Sequence, residues 1–433
     1  MSYAKDGYPT ELANKVGHIK LIQDPMVQRL IESFEDHRPL PDAALPPISG
    51  NTDLKCDRTI AQVITVDGGH QTVPNIVRPE RQVGFVQVAL QMIKLETIEY
   101  LSTHPMADPR DVQKLIGNYT HHILAALPVV GMSLPGQTLK DSIRESVHRF
   151  IAHYGLYPAL AYLVYRQWEP QMTKQPSMQC HLCDAKIDLP RNQLDFKCAK
   201  CGESYKLSDY LGLSDRDNDE RSTEETVSNF RAALEVLAMF SLIVRFLERE
   251  AIMQKTLFLL DGPLLLRAQL SRLVEPIRDL LEHQHRQQRS AYIVGIEKNG
   301  EFRNFADAYA TRFGSNGDYF IPTTKFLVES VNGRIFDPAT YRNRVNYGAK
   351  LVARVGTDHV LALNIPTGQF ILEPQSSDLI GLEPILCCLS QLPSYAYDNA
   401  LIPVVLANNA SSISNQPSAT LLAQFVDSLM KSG

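Results

Sequence analysis

Tryptophan occurs once in these 433 residues, and no apolar stretch runs unbroken to membrane-spanning length. The two nearest candidates, 151–168 and 232–247, are interrupted by His153 and Pro158, and by Glu235 and Arg245. The sequence therefore predicts no membrane partner. The N-terminal MSYAKDGYPTELANK has no apolar core of the signal-peptide kind. An excess of charge of one sign is also missing: 43 basic against 48 acidic residues leave a net charge of −5. That excludes a global attraction to nucleic acid, so any such contact must use a local basic patch. There is no G-x-x-x-x-G-K-[ST] and hence no P-loop motor in this chain, nor any internal repeat or long low-complexity segment. Cysteines number seven, four of them in paired spacing, which suits a reducing cytoplasm better than a disulfide framework. What remains is an ordinary folded composition, 44% hydrophobic and 21% charged, in a chain long enough for two or three domains.

The pattern along the chain is that of an α/β protein with a mixed sheet. Residues 17–35 predict a short amphipathic helix, with Ile22, Met26, Leu30 and Phe34 on one side. HRPLPDAALPPISGN then reads as an extended strap. IAQVITVDGG is a strand ended by its Gly-Gly pair, and RQVGFVQVALQMIKLETI at 81–98 is a partner strand. Residues 101–175 are mostly helical in pattern. Ser222 and Glu225 have capping-box spacing and open a long helix through VSNFRAALEVLAMFSLIVRFLEREAIMQ. TLFLLDG predicts a strand, PLLLRAQLSRLVEPIRDLLEHQHRQQ a helix, and SAYIVGIEKNG a strand with a turn. Further strands are expected at 350–355, 359–365 and 402–406, and a terminal helix at 418–430.

Between 176 and 207 the composition changes abruptly. Cys180-x-x-Cys183 and Cys198-x-x-Cys201 form two knuckles fourteen residues apart. Four thiolates so spaced can reach one ion tetrahedrally, the arrangement of a zinc ribbon. A closed four-sulfur site leaves no open position, so the zinc is read as structural. Redox dithiols are the alternative, but they usually come as a single C-x-x-C. Cys56, Cys387 and Cys388 read as free, buried thiols.

The stretch FLLDGPLLL places Asp261 inside an apolar run, where an unpaired charge is costly. AQVITVDGGH repeats the arrangement at Asp67. Asp-Gly most often just makes a turn. Two strand-end acids lying side by side could instead bind divalent cations, magnesium or manganese, and two such ions can clamp a phosphodiester in-line displacement. Glu235, beside the apolar stripe of the helix before the second strand, is the third candidate. Its structural alternative is an i,i+4 ion pair with Arg231. Glu248 and Glu250 are rivals at a solvated helix end.

These segments, VITVDGG, LFLLDGPLL, YIVGIEKNG and LIPVVLANNASSI, resemble in order and spacing the NurA nuclease family, over roughly 55–100 and 225–430. The resemblance implies an RNase H-like mixed sheet flanked by helices, with an inserted helical segment and zinc ribbon. It divides the chain into an N-terminal helix and arm (1–54), a first core part (55–100), an insertion (101–221) and a second core part (222–433). It further implies a manganese- or magnesium-dependent DNase acting on DNA ends, a homodimer that works with a HerA-type hexameric ATPase in the cytoplasm. Asp67 and Asp261 match the family's metal-binding aspartates, Glu235 the helical glutamate and Lys298 the strand-end lysine. Where the family has a histidine, LANNA has Asn408, which can ligate a metal but cannot shuttle a proton. Asp398, in YAYDNA, is a candidate substitute ligand, with a solvated loop the favoured alternative.

Arg267, Arg278 and Arg289 recur every eleven residues, about three helical turns, and so predict a phosphate-following row on one helix face. A solvated amphipathic helix explains the same row. Phe302, Phe305 and Tyr309 are candidates for stacking on bases, or for core. Two functional expectations result: a metal-dependent DNase, and an inactive scaffold subunit that holds DNA or a partner through its ribbon.

Overall fold

Alternating and then continuous apolar residues ahead of Asp67 do build a strand, and it runs well past the glycine pair. In the computed structural model of the chain, nine strands among the described residues form one mixed sheet. They are β1 (Gly50–Asn51), β2 (Gln62–Pro74), β3 (Gln82–Lys94), β4 (Thr120–Val130), β9 (Thr256–Asp261), β10 (Tyr292–Ile296), β11 (Asp318–Phe320), β12 (Gly348–Gly356) and β13 (His359–Pro366). Strands β5 (Ser177–Gln179), β6 (Lys186–Asp188), β7 (Asp195–Lys197) and β8 (Ser204–Lys206) pair separately as two hairpins. The structure describes residues 23–33, 45–55, 59–76, 78, 81–103, 119–171, 173–214, 223–339, 344–357, 359–394, 400–413 and 418–431. Ile22, Phe34, Cys56, Ser222 and Asp398, named above, lie outside them. Two compact units are distinguished, residues 1–45 and 46–433. In the first, helix α1 (Pro25–Glu32) begins at Asp24, whose carboxylate accepts from the Met26 and Val27 N–H groups.

Strand order in the sheet is β1-β11-β12-β13-β10-β9-β2-β3-β4. β2, β3 and β4 form an antiparallel meander, and β9 and β10 add beside β2 in parallel. That order and those directions are those of an RNase H-like sheet, which β13, β12, β11 and β1 extend antiparallel beyond β10. Helix α2 (Leu95–Thr103) lies between β3 and β4. Helix α5 (Thr223–Phe246) makes the crossover from β4 to β9, after α3 (Leu139–His153) and α4 (Tyr157–Val164). Its Phe230, Leu234, Leu237 and Phe240 pack into one apolar cluster with Ile64, Val66, Phe258 and Leu260. By length and composition α5 could cross a membrane. Its apolar character is met here by burial, as for any helix embedded in a core. Helices α6 (Val274–Arg286) and α7 (Glu301–Tyr309) follow β9 and β10. The opposite sheet face packs Val63, Leu257 and Leu259 against α8 (Leu382–Leu389) and α9 (Ile402–Ser411). The terminal helix, α10, is Ser418–Lys431.

Several expectations are corrected. Part of the expected insertion, Thr120–Val130, is the edge strand β4, and Gly50–Asn51 of the expected arm pairs with β11. The short apolar run at 402–406 is helical. Pro403 sits in the first turn, where its missing N–H costs nothing, and Leu401, Val404 and Ala407 bury at helical spacing. Phe302, Phe305 and Tyr309 are core rather than stacking platforms, at most 7% exposed and packed with Phe320 and Phe326. Cys387 is disulfide-bonded, not free, whereas Cys388 is a free buried thiol.

Candidate active site

β2 and β9 run parallel, and their last paired residues are Val66 and Leu260. Asp67 and Asp261 come next on each strand. Adjacent strands about 4.8 Å apart therefore present two carboxylates at one level. Alternation puts both on the face of Thr65 and Leu259, toward α9. There the Ser411 hydroxyl donates to Asp67 Oδ2 at 2.7 Å, and the Gly68 N–H donates to Oδ1 at 2.8 Å. Lys298, just past β10, donates to Asp261 Oδ2 at 2.6 Å. Because α7 follows β10, Lys298 lies in a strand-to-helix loop and not in a hairpin turn.

Glu235 arrives from the other face. A Cβ on Gly68 would lie 2.5 Å from Glu235 Oε1, so only the absence of a side chain there lets the carboxylate reach the strand. On the α9 side, a Cβ on Gly69 would lie 2.4 Å from the Ser411 carbonyl oxygen. The Gly-Gly pair is therefore mid-strand, where two helices close on β2 from opposite sides, and does not end the strand.

Arg231 Nη1 donates both to Glu235 Oε1 (2.5 Å) and to the Gly68 carbonyl (3.1 Å). The i,i+4 ion pair thus exists, and it coexists with proximity to the aspartates. Burial pushes the Glu235 carboxyl up, Arg231 opposes this, and the negative charges of Asp67 and Asp261 add to the rise, leaving it at about 7. Asp261 is raised in the same way, by burial first and then by Asp67, against the pull of Lys298. Asp67 raises both of the others and Asp261 raises Glu235, so the three acids belong to one electrostatic centre. Their oxygens do not all come within 4.8 Å of one another, however. Among the described residues only the four cysteines form such a group.

Of the three acids, Asp261 lines a cleft of about 810 Å³, together with Lys298, Arg231, Arg267, Asn408 and Lys350, among others. Arg267 is exposed in that wall, but the expected arginine row does not form. Residues Ala268–Leu273 are 3-10 turns, and only Arg278 lies within α6. Tighter winding breaks the eleven-residue phase. Arg278 donates to the Asn346 carbonyl, and Arg289, beyond the helix end, pairs with Glu250 at 3.2 Å.

The cysteine centre is well formed. Cys180 and Cys201 sulfurs are 3.5 Å apart, and those of Cys183 and Cys198 are 3.6 Å apart. Tetrahedral Zn–S bonds of about 2.3 Å require roughly 3.8 Å between sulfurs, so the donor set fits a metal such as zinc. Burial resists ionisation of Cys180. The Tyr205 hydroxyl, at 3.1 Å from the sulfur, and the Leu182 and Cys183 N–H groups outweigh it and bring the thiol down to about 6. Met178, Ile187, Phe196 and Tyr205 of the two hairpins belong to the same apolar cluster as α5. Arg144 of α3 clamps the base of the ribbon through both oxygens of Asp209, at 3.0 and 3.1 Å.

Sequence reasoning missed Ser411 and Glu297. Nothing local marks Ser411, which is 344 residues from its partner. Glu297 follows the apolar strand YIVGI just as Asp261 follows TLFLL, a signal that was legible. No protein-family model and no curated protein matches this chain. Among solved structures, the crystal structure of the NurA nuclease from Sulfolobus solfataricus is similar at a TM-score of 0.35 and 10% identity, over 98% of this chain and 99% of that one. A likeness of that size carries no argument for function.

Proposed function

We propose that this chain is a divalent-metal-dependent phosphodiester hydrolase acting on DNA, with Asp67, Glu235 and Asp261 as its acidic centre. One observation carries the reading: two carboxylates stand at one register level on neighbouring parallel strands, where pairing between those strands ends, and a third buried acid is coupled to both. Clustered carboxylate oxygens that repel one another are the donor set magnesium or manganese prefers. When bound, such an ion supplies Lewis-acid polarisation of a phosphoryl oxygen and a more acidic water. Asp67, Asp261 and Glu235 would hold it, and Asn408 on the cleft wall offers a further carbonyl oxygen. Lys298 keeps a cation beside Asp261, suited to charge that builds on a reacting phosphate. Zinc would be held by Cys180, Cys183, Cys198 and Cys201 in a purely structural role. A DNA-feeding motor would be a separate protein, and we propose a HerA-type ATPase in that role, working with a homodimer of this chain.

The test is cleavage of linear DNA with manganese by wild type, Asp67→Asn and Asp261→Asn. Wild type should cut and both variants should lose at least about a hundredfold. Equal cleavage by wild type and Asp67→Asn removes the centre. A second reading, a DNA- or partner-holding scaffold, is favoured by one observation: each acid already has a protein partner, in Ser411, Arg231 and Lys298. Wild type that binds DNA but never cuts it, with manganese and its motor present, decides for the scaffold.

A further inference from the structure

Glu297 is buried just past the end of β10 and lines the same cleft as Asp261. Lys350 of β12 donates to both its carboxylate oxygens, at 2.6 and 2.8 Å, and Asn364 of β13 donates to Oε1 at 2.7 Å. Its own N–H is tied to the Ala362 carbonyl at 2.9 Å. The Lys350 ammonium also stands 4.3 Å from the centroid of the Phe302 ring, which is 3% exposed. A carboxylate and an aromatic face thus fix one lysine head, whose free side chain would otherwise sample many rotamers. That head lines the same cleft as Asp261 and Arg267. Glu297 and Lys298 are neighbours in the chain, so one short loop holds two ammonium groups: Lys298 on Asp261, and Lys350 through Glu297.

A simple structural ion pair accounts for part of this, but such pairs contribute little to stability when partly exposed. Lys350 keeps a quarter of its side chain open to the cleft. Two fixed cations lining one cleft match successive phosphates of one strand better than a single phosphate group.

We propose that Lys350 contacts a backbone phosphate of a nucleic-acid strand lying in this cleft, next to the phosphate at the acidic centre, and that Glu297 is the positioning residue for its ammonium. This rests on the hydrolase reading and extends it from the cut phosphate to its neighbour. The test uses the full chain and a fluorescent single-stranded oligonucleotide, with anisotropy read without manganese across about 50 to 200 mM salt. Lys350→Gln should weaken binding about tenfold and lower the slope of log affinity against log salt by roughly 0.7. Lys350→Arg, which keeps the charge, should keep the slope, and Glu297→Gln should fall between. With manganese, Lys350→Gln should raise KM and leave kcat near wild type. Wild-type affinity and slope in Lys350→Gln, with only a lower melting temperature, would overturn the proposal and leave a structural pair. A changed slope in a protein that never cleaves would sink the hydrolase reading but support the phosphate contact. Wild type that does not bind the oligonucleotide overturns both.

Discussion

Adding one methyl group at Gly68 and, separately, at Gly69 tests how the candidate site is built. At 68 the new Cβ meets Glu235 Oε1 at 2.5 Å and Arg231 Cγ at 2.9 Å, both in side chains that can turn. Overpacking of this kind costs about 1–3 kcal/mol. Replacing a strand glycine by alanine returns roughly 0.5–1 kcal/mol by restricting the unfolded chain. The net loss for Gly68→Ala is therefore about 0–2.5 kcal/mol. At 69 the obstacles are the Ser411 carbonyl oxygen at 2.4 Å and the Ile413 nitrogen at 3.3 Å, which are backbone. Relief there requires α9 itself to shift, together with the hydroxyl that Ser411 donates to Asp67. Gly69→Ala should then cost at least about 1 kcal/mol more than Gly68→Ala. Thermal melts of the two variants under one buffer condition rank them, and a manganese cleavage assay should show activity falling in both. If Gly69→Ala is as stable as Gly68→Ala, or more stable, the account of two helices closing on β2 from opposite faces is wrong.

Other outcomes follow from the same geometry. Glu235 is raised to about 7, so between its ordinary value of 4.5 and that point the folded state holds a proton the unfolded state has lost. Stability of protein free of manganese and magnesium should fall by roughly 3 kcal/mol as pH rises through this window, and Glu235→Gln should flatten the slope. An unchanged slope in denaturant titrations of the variant would assign it to other groups. Lys298→Met should lower cleavage by at least about tenfold. Its melting temperature should barely change, since the partly exposed pair with Asp261 is worth about 1 kcal/mol or less. Chelation of zinc, or Cys198→Ser, should lower the melting temperature of the whole chain, because the ribbon shares its apolar cluster with α5. A melt that loses only a minor local transition, with metal content falling from one zinc per chain, would show the ribbon to be an independent module.

The two aspartates were legible because each ends an apolar run long enough to be a buried strand, and a charge in such a place needs a reason. Their adjacency was not legible. It depends on β2 pairing with β9, as in Gln62 beside Thr256, 194 residues apart, and no local pattern encodes a partner so distant. The same limit hid Ser411. Elsewhere a local rule was read with the wrong competitor winning. Gly68-Gly69 looks like a turn signal, but glycine also serves where other chains approach closely, and the packing of α5 and α9 decided between them. IPVVL suits a strand or a buried helix equally by composition, and proline in a first helical turn tipped it. β4 escaped notice because its sequence, ILAALPVV, is apolar on both faces, so the regular alternation of its burial at the sheet edge leaves no polar–apolar pattern to read. The arginine row failed through a change of helical pitch that spacing alone does not reveal.

A nascent copy of this protein carries its acids long before they can come together. Asp67 leaves the ribosome early, Asp261 much later, and the serine that anchors the first of them later still. Until α9 has been synthesised and docked, one side of β2 is bare and its carboxylate has no steadying hydroxyl. Order of synthesis therefore keeps an incomplete chain from assembling the whole centre.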